Sequence, residues 1–467
     1  MAYVLNLAYL AGLVLLSPFL FYRVLVKGKY RYGFGAKFFG LVPRRKGDAF
    51  CLWLHAVSVG EVKLLAPLLD KIGRQFPDWQ CVISTTTKTG YDLAVDKYDG
   101  VTVFYCPLDF SWATRTAMRR MRPDLLLLTE LELWPNLISA ASRRGARVGV
   151  INGRLSEKSY RGYRRLGFIT RRMLGQLDVI ATQNEEYAER FIALGADEES
   201  VHVTGSLKFD DAQTNRENPA TQWLRQLAGF HEDDIVFLAG STQKGEEKMA
   251  LKAFQKLRDD HPQLRLVLVP RHPERFEQVA RLLDKSRIPW IRRTELTARS
   301  TPTLSLGGAS LTLGGTSAAK PSKKKAAKTT RNAPDDGPRI LLVDTIGELS
   351  AWWGTADIAY VGGSMGRRGG QNMIEPAAYG AAVSFGPKTR NFRDIVAAMR
   401  EAKAAVVVTS GKKLLAFVRR CLEQPMFAKR LGKRAQTLVA RQQGATENTL
   451  YLLEELLEDA PSKRRAA

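Results

Sequence analysis

Cysteine, histidine and acidic residues are all scarce in this chain of 467 residues. The four cysteines, Cys51, Cys81, Cys106 and Cys421, include no C-x-x-C pair. Cys51 and Cys81 fall inside strand-like apolar runs, so the set reads as buried reduced thiols and excludes a disulfide framework. The five histidines are scattered and form no H-E-x-x-H pattern, which excludes the common zinc-hydrolase arrangement. Acids number 47 against 71 Lys and Arg, a formal net charge of +24. An excess of that size calls for an anionic partner: nucleic acid, an anionic membrane surface or an anionic substrate.

Charge is absent altogether from Tyr3 to Tyr22. A helix of about 20 residues is about 30 Å long, one hydrocarbon core. Asn6, Ser17 and Pro18 interrupt the apolar run. From Arg23 to Lys46 there follow eight Lys and Arg and no acid, interleaved with Tyr30, Tyr32, Phe34, Phe38 and Phe39. A secretory signal would place its basic residues before the apolar run and a small-residue cleavage site after it. The order here is the reverse. Residues 1–24 therefore read as a membrane anchor, spanning or interfacial, and 25–49 as a basic collar on anionic headgroups. The positive-inside rule puts the body in the cytoplasm.

The remainder alternates apolar runs with amphipathic stretches, the pattern of parallel sheets with crossover helices. Strands are expected at Phe50–His55, Gln80–Ser84, Val101–Tyr105, Leu125–Thr129, Arg147–Ile151, Val179–Ala181 and Val201–Thr204. A second set is expected at Ile235–Ala239, Arg265–Val269, Ile340–Val343, Ile358–Val361 and Ala382–Phe385. Two Rossmann-like domains follow, 50–212 and 213–460, facing across a cleft. The run 301–338 is rich in Gly, Ser, Thr, Ala and Lys and reads as a disordered insertion, with 461–467 a frayed tail. The insertion has no aromatic residue for base stacking, which argues against a nucleic-acid arm.

The polar motifs fall just beyond strand ends, where such sheets bind ligands. His55-Ala-Val-Ser-Val-Gly-Glu61 leads from a strand into a helix near Ser58. Glu61 there suits a general base, but Ser58-x-x-Glu61 is also a capping box, and the motif alone favours the cap. The helix dipole would keep Glu61 ionised and weaken it as a base. Glu130 and Glu132 follow the apolar strand Leu125–Leu128 and need cations or ligand hydroxyls. Residues 154–172 hold seven Lys and Arg against one acid, a solvated face or a receiver of an acidic lipid head. Lys208, in Thr204-Gly-Ser-Leu-Lys-Phe-Asp210, suits a phosphate, as does Arg271 in Val269-Pro-Arg-His-Pro-Glu-Arg-Phe276. A loop Asp344-Thr-Ile-Gly-Glu348 opens a helix. Finally, Val361-Gly-Gly-Ser-Met-Gly-Arg-Arg-Gly-Gly-Gln-Asn-Met-Ile-Glu375 is a glycine loop running into a helix near Asn372. It is either a phosphate cradle or an ordinary turn.

Taken together, HAVSVGE, TELELWPN, NGRLS, GSLKFD, PRHPERF, DTIGEL and GGQNMIEPAAYG resemble the Kdo transferases in family order. The resemblance runs from the N-terminal anchor to about Ile395. Those enzymes transfer 3-deoxy-D-manno-octulosonic acid (Kdo) to a lipid A precursor. The resemblance implies an inverting GT-B glycosyltransferase that uses CMP-Kdo as donor substrate, with no cofactor and no catalytic metal. It implies a lipid A precursor and the anionic membrane surface as partners, no specific nucleic acid, and the cytoplasmic face of the bacterial inner membrane. Glu61 matches the proton acceptor, and Glu130 and Lys208 match positions that stabilise the transition state. Pro270 and Arg271, then Ile346, Gly347 and Glu348, then Asn372, Met373, Ile374 and Glu375 match the CMP-binding segments. Met373 stands where the family usually has proline, Ile346 where methionine is frequent, and the insertion at 301–338 is unusually long. Rival readings are a UDP-sugar transferase on another membrane lipid and a tethered scaffold without catalysis; the intact Glu61, Glu130, Lys208 and Arg271 oppose the scaffold.

Overall fold

The computed structural model describes residues 2–27, 32–299 and 339–458. The expected insertion at 301–338 and the tail at 461–467 lie outside the described residues. The chain divides into two compact units, Met1–Asp211 with Gln442–Ala467, and Ala212–Arg441.

The first unit is built on seven strands: β1 Cys51–His55, β2 Gln80–Thr85, β3 Thr102–Tyr105, β4 Leu125–Thr129, β5 Arg147–Gly153, β6 Val179–Thr182 and β7 Val201–Val203. All pairings are parallel, in the order β3-β2-β1-β4-β5-β6-β7. A parallel sheet carries helices on both faces, so its strands are apolar throughout rather than alternating. β4 reads LLLLT and is buried along its whole length. One face of the sheet packs Trp53, Phe104, Leu126 and Leu128; the other packs Leu52, Leu54, Leu125 and Leu127 against Leu65 and Leu68 of the helix Val59–Gln75.

The second unit repeats the plan with β8 Ile235–Thr242, β9 Leu264–Pro270, β10 Trp290–Arg292, β11 Ile340–Leu342, β12 Ile358–Val361, β13 Ala382–Phe385 and β14 Ala405–Val407. Its order is β10-β11-β9-β8-β12-β13-β14, again parallel. Phe237, Phe254, Leu266 and Tyr360 lie in its core. In each sheet the order reverses once, between β1 and β4 and between β8 and β12. Those two switch points are where ligands of open α/β sheets settle.

All twelve expected strands form. β10 and β14, the two edge strands of the second sheet with three residues each, were not expected from sequence. The C-terminal boundary needs correction. Residues 213–460 do not form one domain, because the last helix, Ala445–Glu458, belongs to the first unit. Its Leu450 and Leu453 are buried with Leu65 and Leu68. Asp210 holds its start, accepting from Gly444 N–H at 2.9 Å, Thr446 N–H at 2.5 Å and Thr446 Oγ1 at 2.6 Å. The helix expected near Asn372 starts two residues later, as Ile374–Ala378.

Candidate active site

At the switch point of the first sheet, β1 ends in His55 and the chain turns into the helix Val59–Gln75. Ser58 is its N-cap, accepting from Glu61 N–H. The Glu61 carboxylate folds back, taking Val57 N–H at 2.8 Å and Ser58 Oγ–H at 2.7 Å. The cap is therefore real, with Val57 rather than Ser58 supplying the backbone donor. It does not leave Glu61 an ordinary surface acid. Burial pushes its carboxyl above the usual range, against the lowering pull of Ser58 and Val57, with Glu130 pushing it further up and Lys208 drawing it down. The expectation that the helix start keeps it a weak base is thus reversed by desolvation.

Glu130 follows β4 directly, at φ +59, its N–H held by Ile151 O at 3.0 Å. A side chain in that region is strained by about 1 kcal/mol or more, and such strain gathers at functional positions. Its Oε1 accepts from Lys208 Nζ at 2.7 Å. The cation expected for Glu130 is therefore this lysine, brought from the loop after β7. Glu132 takes Trp134 Nε1–H at 3.0 Å and is pushed up to about 7, by burial first and then by Glu61. Glu132 has no role assigned from sequence; its signal there is a second acid three residues past a buried strand.

Three buried polar atoms end beside this group without a hydrogen-bond partner among the described residues: His55 Nε2, Thr129 Oγ1 and Asn152 Nδ2. They belong to the carboxyl ends of β1, β4 and β5. His55 Nδ1 lies 2.9 Å from Ser84 Oγ and 3.2 Å from Ser84 O, contacts that are compatible with either ring tautomer. Burial lowers this imidazole to about 4, so it is neutral at physiological pH. Buried polar atoms without partners are uncommon in native proteins. The basic residues of 157–165, by contrast, lie exposed on one helix.

The segments expected to bind the donor follow the carboxyl ends of β9, β11 and β12 in the second unit. Pro270 ends β9 and Arg271, exposed, gives its N–H to Thr242 O at 3.1 Å. Ile346 is 78% exposed and Gly347 adopts φ +93. Glu348 is fully engaged: Arg293 Nε at 2.9 Å and Nη2 at 2.7 Å, Thr345 Oγ1 at 2.8 Å and Trp352 Nε1 at 3.2 Å. Asn372 Nδ2 donates to Glu375 Oε1 at 2.9 Å while its Oδ1 takes Ile374 N–H at 3.0 Å. Met373 and Ile374 are buried, so the side chain that replaces proline points into the core.

The glycine loop is organised by a residue the sequence reading missed. Glu246, buried at the start of the helix Glu246–Leu257, accepts from Gly363 N–H at 2.7 Å, Met365 N–H at 3.0 Å, Ser364 N–H at 3.1 Å and Tyr360 Oη at 3.0 Å. Those amides serve an internal carboxylate, so the front of the loop is no phosphate cradle. Gly362 lies so close to β8 that a Cβ would stand 2.6 Å from Ser241 O. Among the described residues no group of three His, Cys, Asp or Glu side chains comes together as a metal site. The thiols of Cys51, Cys106 and Cys421 are buried.

A model of the family described as 3-deoxy-D-manno-octulosonic-acid transferase (kdotransferase) matches residues 29–211. A 3-deoxy-D-manno-octulosonic acid transferase of Bordetella pertussis is 32% identical over 425 residues, 87% of this chain and 87% of the relative. Another, of Haemophilus influenzae, is 30% identical over 419 residues, 88% and 90% of the two chains. Among solved structures, a glycosyltransferase of Rickettsia africae matches with a TM-score of 0.53 at 11% identity, over 89% of this chain and 100% of its own, a likeness of fold alone. The architecture is GT-B. With two relatives at 30% identity or more across most of its length, the chain belongs to the 3-deoxy-D-manno-octulosonic acid transferase family of glycosyltransferases.

Proposed function

We propose that the protein transfers Kdo from CMP-Kdo to a lipid A precursor of the lipid IVA type, with inversion. It would act at the cytoplasmic face of a membrane to which the helix Ala2–Lys27 attaches it. The observation that carries the reading is the grouping of Glu61, Glu130 and Lys208 at the first switch point, with Glu61 desolvated and raised. A carboxylate lifted toward neutrality is a better proton acceptor at physiological pH than a surface glutamate. Glu61 takes the proton of an acceptor hydroxyl. The oxygen attacks the anomeric carbon of Kdo as the bond to the CMP phosphate breaks, and CMP departs with the electron pair.

Lys208, paired with Glu130, supplies positive charge to the first unit's site. Arg271 and the segment from Asn372 to Glu375 bind the nucleotide in the second unit, where Arg271 is exposed and offers a planar guanidinium to phosphate. Glu348, spent on Arg293, shapes the Gly347 turn rather than touching the ligand with its carboxylate. The unpartnered His55 Nε2, Thr129 Oγ1 and Asn152 Nδ2 suit a polyhydroxylated ligand. The test is to supply CMP-Kdo and a tetraacylated lipid A precursor to the purified protein and weigh the product. Addition of one or more Kdo units supports the reading; no addition overturns it.

A further inference from the structure

The helix Ala2–Lys27 is apolar enough over Ala2–Phe19 to cross a membrane, yet its first turns are fastened to the first unit. Asn6, only 6% exposed, accepts from Ser111 N–H at 2.9 Å and donates to Ser111 Oγ at 2.8 Å. Ser111 opens the helix Ser111–Met121, whose own N-cap position, Phe110, makes no side-chain cap bond. Asn6 therefore caps that helix from 105 residues away. One turn on, Tyr9 Oη donates to Asp109 Oδ2 at 3.0 Å, and its ring meets Phe110 edge-on at 6.1 Å. Asp109 in turn takes the Asn136 and Leu137 amides at 3.1 and 2.8 Å, at the start of the helix Pro135–Ser142.

Beyond this dock the helix leaves the unit. Every residue from Val14 to Phe19 is exposed, Val14 at 72% and Leu15 at 82%. The chain is back on the same surface by Gly33, whose backbone lies so close to the Tyr105 ring that a Cβ would stand 2.2 Å from it. Trp112 Nε1 donates to Phe38 O at 2.9 Å and Leu108 N–H to Lys37 O at 2.8 Å. Departure and return thus use one stretch of chain, Tyr105 to Trp112. From Val14 to Lys27 a helix rises about 20 Å. From Lys27 to Gly33 a fully extended chain covers at most about 21 Å. Neither limb matches the roughly 30 Å hydrocarbon core that a span must cross.

We infer that this helix does not span: it enters the near leaflet of an anionic membrane with both of its ends on one face. The surface around the dock fits such a partner. A cavity of about 580 Å³ beside Ala2 and Leu5 is lined by Arg115, Arg119, Arg143 and Arg172, with no acid among its lining residues. Guanidinium groups at that depth meet lipid phosphates while Val14 and Leu15 meet acyl chains.

The inference rests on the membrane-anchor reading of the helix, and one experiment separates the two. The full chain, carrying one epitope at its N-terminus and another at its C-terminus, is placed in sealed vesicles of known orientation and treated with protease from outside. Both epitopes are expected to be digested in the same vesicles and protected in the opposite ones. An N-terminal epitope protected where the C-terminal one is cut would establish a span and overturn the inference. A chain found in the supernatant instead of the vesicle pellet would remove the anchor reading, and the inference with it.

Discussion

Lys208 Nζ lies 2.7 Å from Glu130 Oε1, joining the loop after β7 to the strained residue after β4. The pair sets the charge seen by Glu61, since Glu130 raises that carboxyl and Lys208 lowers it. Glu130→Gln and Lys208→Met should each cut kcat/KM by about 100-fold or more, as loss of one electrostatic stabiliser does. The double variant should lose little beyond either single one, because the two act as a unit. Initial rates for the four proteins measure this; independent, multiplying losses would contradict a functional pair.

The pH dependence follows from Glu61. As the proposed base it must be ionised, and burial has raised its carboxyl, so kcat/KM should fall on the acid side above the ordinary glutamate range. Lys208→Met removes a lowering influence and should move that limb to higher pH. Glu61→Gln should lose about 100- to 10,000-fold in rate while a CMP titration is unchanged. A limb that stays put in Lys208→Met would mean that another group titrates.

Glu132 gives a stability signature instead. Its folded pKa, about 7, exceeds the ordinary 4.5, so the folded protein binds the extra proton between those values. Stability is then full below about 4.5 and is lost as pH rises toward 7. Glu132→Gln keeps an acceptor for Trp134 and removes the charge. It should raise Tm by a few degrees at pH 8 and leave it unchanged at pH 4, as read by calorimetry. Equal shifts at both pH values would show that the carboxylate's charge is not the cause.

Much of the site was legible because its motifs are contiguous at strand ends. β4 is a run of leucines that can only be a buried parallel strand, and Glu130 and Glu132 come directly after it. What escaped reading is held by distance. Glu246 meets the glycine loop 117 to 119 residues away, and nothing in its own surroundings marks it as the loop's acceptor. Asn6 looked like a flaw in an apolar helix and is a tertiary cap. The amphipathic pattern of 445–458 does not name the unit that takes it; contacts from Asp210 and Thr204 and burial of Leu450 and Leu453 with Leu65 and Leu68 do. Glu61 was read correctly as a cap, while its desolvation depends on packing that a linear motif does not carry.

Glu246 carries the next prediction. Its carboxylate satisfies the Gly363, Ser364 and Met365 amides, and removing it leaves those donors buried. Each such donor costs about 1–3 kcal/mol, so Glu246→Ala should destabilise the fold by about 3 kcal/mol or more. Glu246→Gln, which keeps one acceptor oxygen, should cost less. Both should weaken CMP binding, because the loop leads directly into Asn372 and Glu375. Urea unfolding and nucleotide titration measure the two effects, and a Glu246→Ala protein with unaltered donor affinity would separate the loop from the donor site.

Asp210 closes the motif that contains Lys208, and the two residues do different things. Lys208 faces Glu130, while Asp210 caps the helix Ala445–Glu458 from more than two hundred residues away. A charged cap on backbone amides is worth about 1–2 kcal/mol. Asp210→Ala should therefore lower stability by about that amount and loosen the last helix before anything else. Amide exchange at Thr446 to Leu450 should quicken while β8 and β12 of the other unit stay protected. Since Leu450 and Leu453 are buried with Leu65 and Leu68 of the helix Val59–Gln75, whose first turn holds Glu61, a loosened end should also lower kcat without changing CMP affinity. Unchanged exchange at 446–450 in Asp210→Ala would mean that burial of the leucines alone holds the helix.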